Sequence, residues 1–171
     1  MAEAQRALPP PDDEIVVLTD NLVDAAVRAS RDSERRRMVL PFHRTIDDPL
    51  RRMFNALQPD SYVRPHRHAP PSDREAWLVV RGALALVLFD DAGFCRRSIR
   101  LGAASSAFGV DFLGDTYHGV VVLEPDTVIY EVKLGPYAPN EKDLAPWAPG
   151  EASSAAPGYL ERLRRTVLQS A

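Results

Sequence analysis

Three of the four histidines in this 171-residue chain fall where a single ion could collect them. His66 and His68 form an HxH pair in YVRPHRH, Glu75 follows seven residues after His68, Gly82 stands seven beyond that, and His118 lies far downstream in GDTYHGVVV. The chain has one cysteine, Cys95, which excludes a thiolate cluster. Imidazole nitrogens and a carboxylate are the donors that divalent first-row metals accept when thiolates are absent. Side chains alternate along an extended segment, so His66 and His68 project to one side and can chelate one ion, with Tyr62 and Arg64 at the same parity. Glu75 begins a second extended run and shares its face with Trp77, Val79 and Arg81. Singly, each signal is weak, because HxH pairs are common on surfaces and glutamates are ordinarily exposed. The scarcity of histidine joins them. Three imidazoles and a carboxylate would leave one or two coordination positions for water or substrate. His43, in LPFHRT, reads as a packed or hydrogen-bonded histidine rather than a fifth ligand.

Other side chains could work beside such an ion. At the parity of the histidines, the Arg64 guanidinium could grip a carboxylate or phosphate in a bidentate way, the alternative being a surface arginine paired with an acid. Along Thr127–Leu134, Glu131 and Lys133 share one face, either as a solvated salt pair or as proton-transfer groups lining a cavity. Lysine is rare here, with Lys133 and Lys142 the only two, which hints that an amine is wanted. Tyr62 and Tyr137 are candidates for hydrogen bonding a polyol, or for structural roles.

The elements that must position these groups are short. Residues 1–14 are Pro-rich and acidic, and residues 1–18 are expected to be disordered or loosely packed. Thr19 or Asp20 can cap a helix in which Leu22, Val23, Ala26, Val27 and Ser30 recur at helical spacing, for roughly three turns. The run Arg35-Arg36-Arg37 reads as a solvated face, with an anion site as the alternative. After Pro41 the period becomes two. Strands are expected over 50–57, 61–67, 75–81, 83–89, 94–101, 107–112, 116–123 and 127–134, with turns at 46–49, 58–60 and 90–93 and breaks at Gly82, Gly102 and Gly114. Many short strands at regular spacing mean a sandwich or barrel. The run Ala83–Phe89 is apolar on both faces, so both need cover, from a docked helix or a second subunit. Residues 135–150 read as an aperiodic arm lying against the body, 151–158 as a linker, and Tyr159, Leu160, Leu163 and Val167 as a short C-terminal helix.

Composition narrows the function. At 45% hydrophobic the chain suits one globular domain with a real core. A net charge of −3 gives no field favouring nucleic acid, and no apolar run approaches membrane-spanning length. A small-molecule partner and a reducing, cytoplasmic location are expected.

The pattern His66-x-His68, six residues, Glu75, six residues, Gly82 resembles the first motif of the cupin superfamily, and Gly114 followed by His118 resembles a degenerate second one. Upstream of the HxH pair, and before His118, the usual glycine and PxG are replaced by Tyr62-Val63-Arg64-Pro65 and Asp115-Thr116-Tyr117. Over residues 20–150, the phrases RRRMVLPFHR, SYVRPHRH, TYHGVVVLEPDTVIYEVKLGPY and APWAPGE are similar to WbuC-type cupin-fold metalloproteins, bacterial proteins often associated with surface-polysaccharide gene clusters. The resemblance implies an all-β double-stranded β-helix, a jelly-roll barrel, over 19–150, with an N-terminal helix, and a linker and helix over 151–171. It also implies one divalent metal ion (Fe, Zn, Mn or Ni) held by His66, His68, Glu75 and His118. The expected function is a metal-dependent enzyme acting on a small polar carbohydrate or related metabolite, isomerase-like, with Arg64, Tyr62 and Tyr137 binding substrate and Glu131 and Lys133 moving protons. An Fe(II) dioxygenase and a non-catalytic metal- or sugar-binding module are the alternatives. A homodimer is expected from the apolar run Ala83–Phe89.

Overall fold

The computed structural model describes residues 5–70, 74–136 and 142–169. In chain order the elements are α1 (Asp20–Asp32), β1 (Arg37–Pro41), β2 (Leu50–Leu57), β3 (His66–His68), β4 (Arg74–Arg81), β5 (Ala83–Phe89), β6 (Cys95–Gly102), β7 (Gly109–Leu113), β8 (His118–Val122), β9 (Thr127–Leu134), β10 (Lys142–Leu144) and α2 (Ala156–Gln169). They form two five-stranded antiparallel sheets, one in the order β1-β2-β9-β4-β7 and the other β10-β3-β8-β5-β6. The architecture is the expected all-β jelly roll with a helix at each end of the chain. Among the described residues no helix is long and apolar enough to cross a membrane.

Alternation builds the sandwich. The inner face of the first sheet carries Leu57, Trp77, Val79 and Ile129, which meet Leu84, Leu86, Leu101 and Val122 of the second in one core cluster. Gly82 lets the chain leave β4 and enter β5. Its φ is +72°, and a Cβ there would lie 2.5 Å from Oγ1 of Thr127, a hydroxyl already bonded to Ala83 and to the Glu124 carbonyl. Only glycine fits that backbone and that space.

The outer faces are covered by the helices. In α1, Val23, Ala26, Val27 and Ser30 fall on one stripe, and its apolar members pack on Leu40, Phe54, Ala56 and Val128. In α2, Leu163 and Val167, together with Ala145 and Ala148 of the preceding arm, cover Ala85, Val87 and Phe89 of β5. The cover that the apolar run requires is therefore a docked helix. The homodimer expectation rests on that face, and α2 occupies it.

Several local features differ from expectation. β1 and β10 are additional strands. The residues of β10 are all exposed and pair with β3 through the backbone, so no apolar alternation marks them. Ser61–Pro65 is not strand; only His66–His68 pairs. α2 starts at Ala156, inside the expected linker. The N-terminal stretch is tied down at Ala7 and Leu8, where Leu8 N donates to the Val39 carbonyl at 2.8 Å and the Leu8 side chain packs beneath α1.

Candidate metal centre

The three histidines come from two adjacent strands of one sheet. His66 is directly opposite His118 in the β3–β8 pairing, and His68, two residues on, keeps the same face. The His68 amide donates to the Gly114 carbonyl at 2.6 Å, so the loop before His118 is fastened to β3. All three rings are buried, and each offers a nitrogen within 4.8 Å of the others. Ring centroids lie 4.9 Å apart for His66 and His68, 4.7 Å for His66 and His118, and 5.5 Å for His68 and His118.

The backbone sets which nitrogen faces inward. His66 Nδ1 lies 2.9 Å from the Arg64 carbonyl and His118 Nδ1 lies 3.0 Å from that of Thr116, two residues back in each case. A carbonyl only accepts, so both Nδ1 atoms carry the hydrogen and both Nε2 atoms present a lone pair. His118 Nε2 is buried without a hydrogen-bond partner among the described residues, and so are both ring nitrogens of His68. A buried polar atom with no partner is costly unless something binds it. Burial, with neighbouring positive charge, lowers His66 well below the usual imidazole range, and burial lowers His118 to about 4. Both rings are neutral near pH 7, the state a metal needs.

Glu75 arrives from the opposite sheet. Its Oε1 lies 2.8 Å from His68 Nε2 and 3.7 Å from Lys133 Nζ, and its Oε2 accepts from Trp77 Nε1 at 3.2 Å. The His68 contact is short but lacks hydrogen-bond direction, as expected of two donors aimed at a common point rather than at each other. Burial opposes ionisation of Glu75, yet the close approach of His68 and the Lys133 ammonium outweigh it and hold the carboxyl well below its ordinary range. The donor set fits a divalent ion: three buried imidazoles with a carboxylate beside them.

Around this group lies a cavity of about 170 Å³. Trp77 lines it, and Phe112 backs both Trp77, at 5.1 Å between ring centroids, and His118, edge-on at 5.2 Å. Glu131 also lines the cavity and accepts a 2.6 Å hydrogen bond from Asn55 Nδ2. Burial and the negative charge of Glu75 push the Glu131 carboxyl upward. Lys133 is 4% exposed and stands behind Glu75, outside the cavity lining.

The other expected substrate contacts are placed elsewhere. Arg64 donates twice to the Ala145 carbonyl, at 3.1 and 2.6 Å, and Val63 rather than Arg64 lines the cavity, because the irregular run Ser61–Pro65 breaks the parity assumed from His66. Tyr62 donates its hydroxyl to the Pro149 carbonyl at 2.9 Å and packs edge-on against Tyr159. Tyr137 lies outside the described residues. His43 takes no part in the site; its Nδ1 lies 3.0 Å from the Arg52 carbonyl. The cavity instead gathers Arg35, Arg37, Asn55, Lys142 and Glu151, of which Arg35 and Arg37 belong to the run read as a solvated face. Their signal was the R-x-R spacing running into β1, which places Arg37 and Val39 on the inner side.

A sequence profile for a domain of unknown function, DUF6016, matches residues 18–101. No curated protein sequence matches the chain. Among solved structures, similarity extends to an oxalate decarboxylase studied for its substrate binding mode and reaction specificity, at 17% identity and TM-score 0.45, covering 58% of this chain and 24% of that one. Oxalate decarboxylase from Bacillus subtilis at pH 4.6 gives 18% identity and TM-score 0.46 over 58% of this chain and 24% of that one. An HTH_3 family transcriptional regulator from Vibrio cholerae gives 14% identity and TM-score 0.46, covering 68% of this chain and 60% of that one. The chain thus spans about a quarter of the decarboxylases and under two thirds of the regulator.

Proposed function

We propose that the protein is a cupin-type, divalent-metal-dependent enzyme that moves a proton on a small polar metabolite, in the manner of a carbohydrate isomerase. The carrying observation is the set of three buried imidazoles converging within 4.8 Å, with nitrogens on His68 and His118 that make no hydrogen bond among the described residues. Glu75 completes the donor set. A divalent ion held there supplies Lewis acidity toward a substrate carbonyl.

The remaining roles belong to the chain. Glu131, whose carboxyl is pushed upward by burial and by the charge of Glu75, is the group placed to take the proton from the carbon next to the substrate carbonyl and to return it. Asn55 orients that carboxyl. Lys133 does not reach the cavity, so its role is to hold Glu75 ionised. Trp77, backed by Phe112, supplies the cavity with an apolar wall. At about 170 Å³ the cavity is smaller than the ~300–1,000 Å³ of drug-sized sites, which favours a compact metabolite over a nucleotide-linked sugar.

Metal content of the purified and reconstituted protein is the test. One ion per chain, lost in His118→Ala, is the expected result; less than one after reconstitution overturns the reading. With the loaded protein, solvent deuterium should wash into the carbon next to the carbonyl of a small hydroxy-aldehyde or hydroxy-ketone substrate.

A further inference from the structure

Resting on that reading of the site, we infer that its substrate carries an oxyanion, a carboxylate or a phosphate, and that Arg35 is the residue that binds it. The cavity is polar in a graded way. At the buried end, Glu75 is offset by Lys133, and Glu131 accepts a hydrogen bond from Asn55. Toward solvent stand Arg35 and Arg37, with Glu151 the carboxylate they share among the described residues. Two guanidinium groups thus line the same cavity as His66 and His118 and share one carboxylate.

The two arginines are not equivalent. Arg37 is buried and already committed: it donates to the Tyr62 carbonyl at 2.8 Å and to Glu151 Oε2 at 2.5 Å. Its place is that of a fixed charge. Arg35 is about one third exposed, and among the described residues its guanidinium makes no hydrogen bond; its ion pair is a 3.8 Å contact with the same Glu151 oxygen. A planar fork of donors that makes no hydrogen bond among the described residues, at a cavity mouth beside the Arg37 cation, suits a bidentate oxyanion. Burial and the charge of Arg37 both disfavour the Arg35 cation, so an incoming anion gains by relieving that strain. Glu151 partly fills the place the anion would take. Holding the oxyanion at this end would leave the rest of a short molecule pointing toward His66 and Glu131.

Titration calorimetry on the full chain at low ionic strength tests this, with inorganic phosphate and malonate as probes and glycerol as the neutral control. It is run on the metal-loaded and the chelator-treated protein. Both anions should bind and glycerol should not. Arg35→Gln should weaken them about tenfold or more, the loss expected for a hydrogen bond to a charged group. Arg35→Lys should recover part of the binding, and Glu151→Gln should strengthen it. Metal content and melting temperature of unliganded Arg35→Gln should match the parent, since the residue is partly exposed. Equal anion affinity in Arg35→Gln overturns the inference, and so does glycerol binding as tightly as the anions. Anion binding that vanishes on chelation would assign the anion to the ion itself and also overturn it. If the protein holds no metal yet the chelator-treated form binds anions through Arg35, the proposed enzyme fails while the oxyanion site stands.

Discussion

Neutral, buried His118 gives the metal-free protein a pH dependence that one substitution should remove. Its folded value is lowered to about 4 from the ordinary 6.5, with burial as the main cause. Between those values the unfolded chain binds a proton at this position and the folded chain does not. Unfolding therefore takes up a proton, and stability falls as pH falls. At about 1.4 kcal/mol for each tenfold change in proton affinity, the loss is about 2 kcal/mol at pH 5 and approaches about 3 kcal/mol near pH 4. His118→Asn keeps a donor close to the position of Nδ1 and can still bond the Thr116 carbonyl, but it cannot be protonated.

Urea denaturation with chelator present, from about pH 7 down to about pH 4.5, measures the effect. The parent should lose stability more steeply than His118→Asn, by about 2 kcal/mol at pH 5. His66, lowered by burial in the same direction, remains in both proteins and contributes equally, so it cancels in the comparison. Parallel curves for the two proteins would refute the claim that His118 is buried as a neutral ring. With metal restored, protonation must also displace the ion, so the loaded parent should keep its stability to lower pH and then lose it over a narrower interval.

Three further substitutions probe the supporting shell. Gly82→Ala combines a backbone φ of +72° with a Cβ 2.5 Å from Thr127 Oγ1, and should cost about 2–4 kcal/mol in urea denaturation. Lys133→Met removes the cation 3.7 Å from buried Glu75; it should cost about 3–5 kcal/mol and weaken metal binding, both measured on the same preparation. Glu131→Gln is isosteric and can keep the Asn55 bond, so metal content should be unchanged while deuterium wash-in falls by about 10²-fold or more.

The sequence made the strands legible where side-chain pattern and turn chemistry agreed. β2 and β9 have the bounds that alternation and flanking turns imply, and β5, apolar on both faces, those set by Gly82 and the turn at 90–93. The histidine group was legible for the same reason: His66 and His68 lie in a paired strand, and the fold brings His118 opposite His66. β10 left no signal because its side chains are exposed and its cohesion comes from backbone pairing and from Arg67, whose guanidinium reaches Asp143 at 2.7 Å.

The cations of the site were misplaced by one assumption, that parity continues beyond a strand. Arg64 lies outside β3, with Pro65 between, and its guanidinium turns onto the Ala145 carbonyl. Arg35 and Arg37 were discounted because runs of like charge usually face solvent. Arg36 alone behaves that way: it has a φ of +56°, and its side chain pairs with exposed Asp60 at 3.1 Å. That turned-out residue leaves Arg35 and Arg37 on the cavity side. A charged run entering a strand is thus better read with the period of the strand than as a block, and here that reading divides three adjacent arginines into one surface ion pair, one fixed charge and one unfilled donor fork.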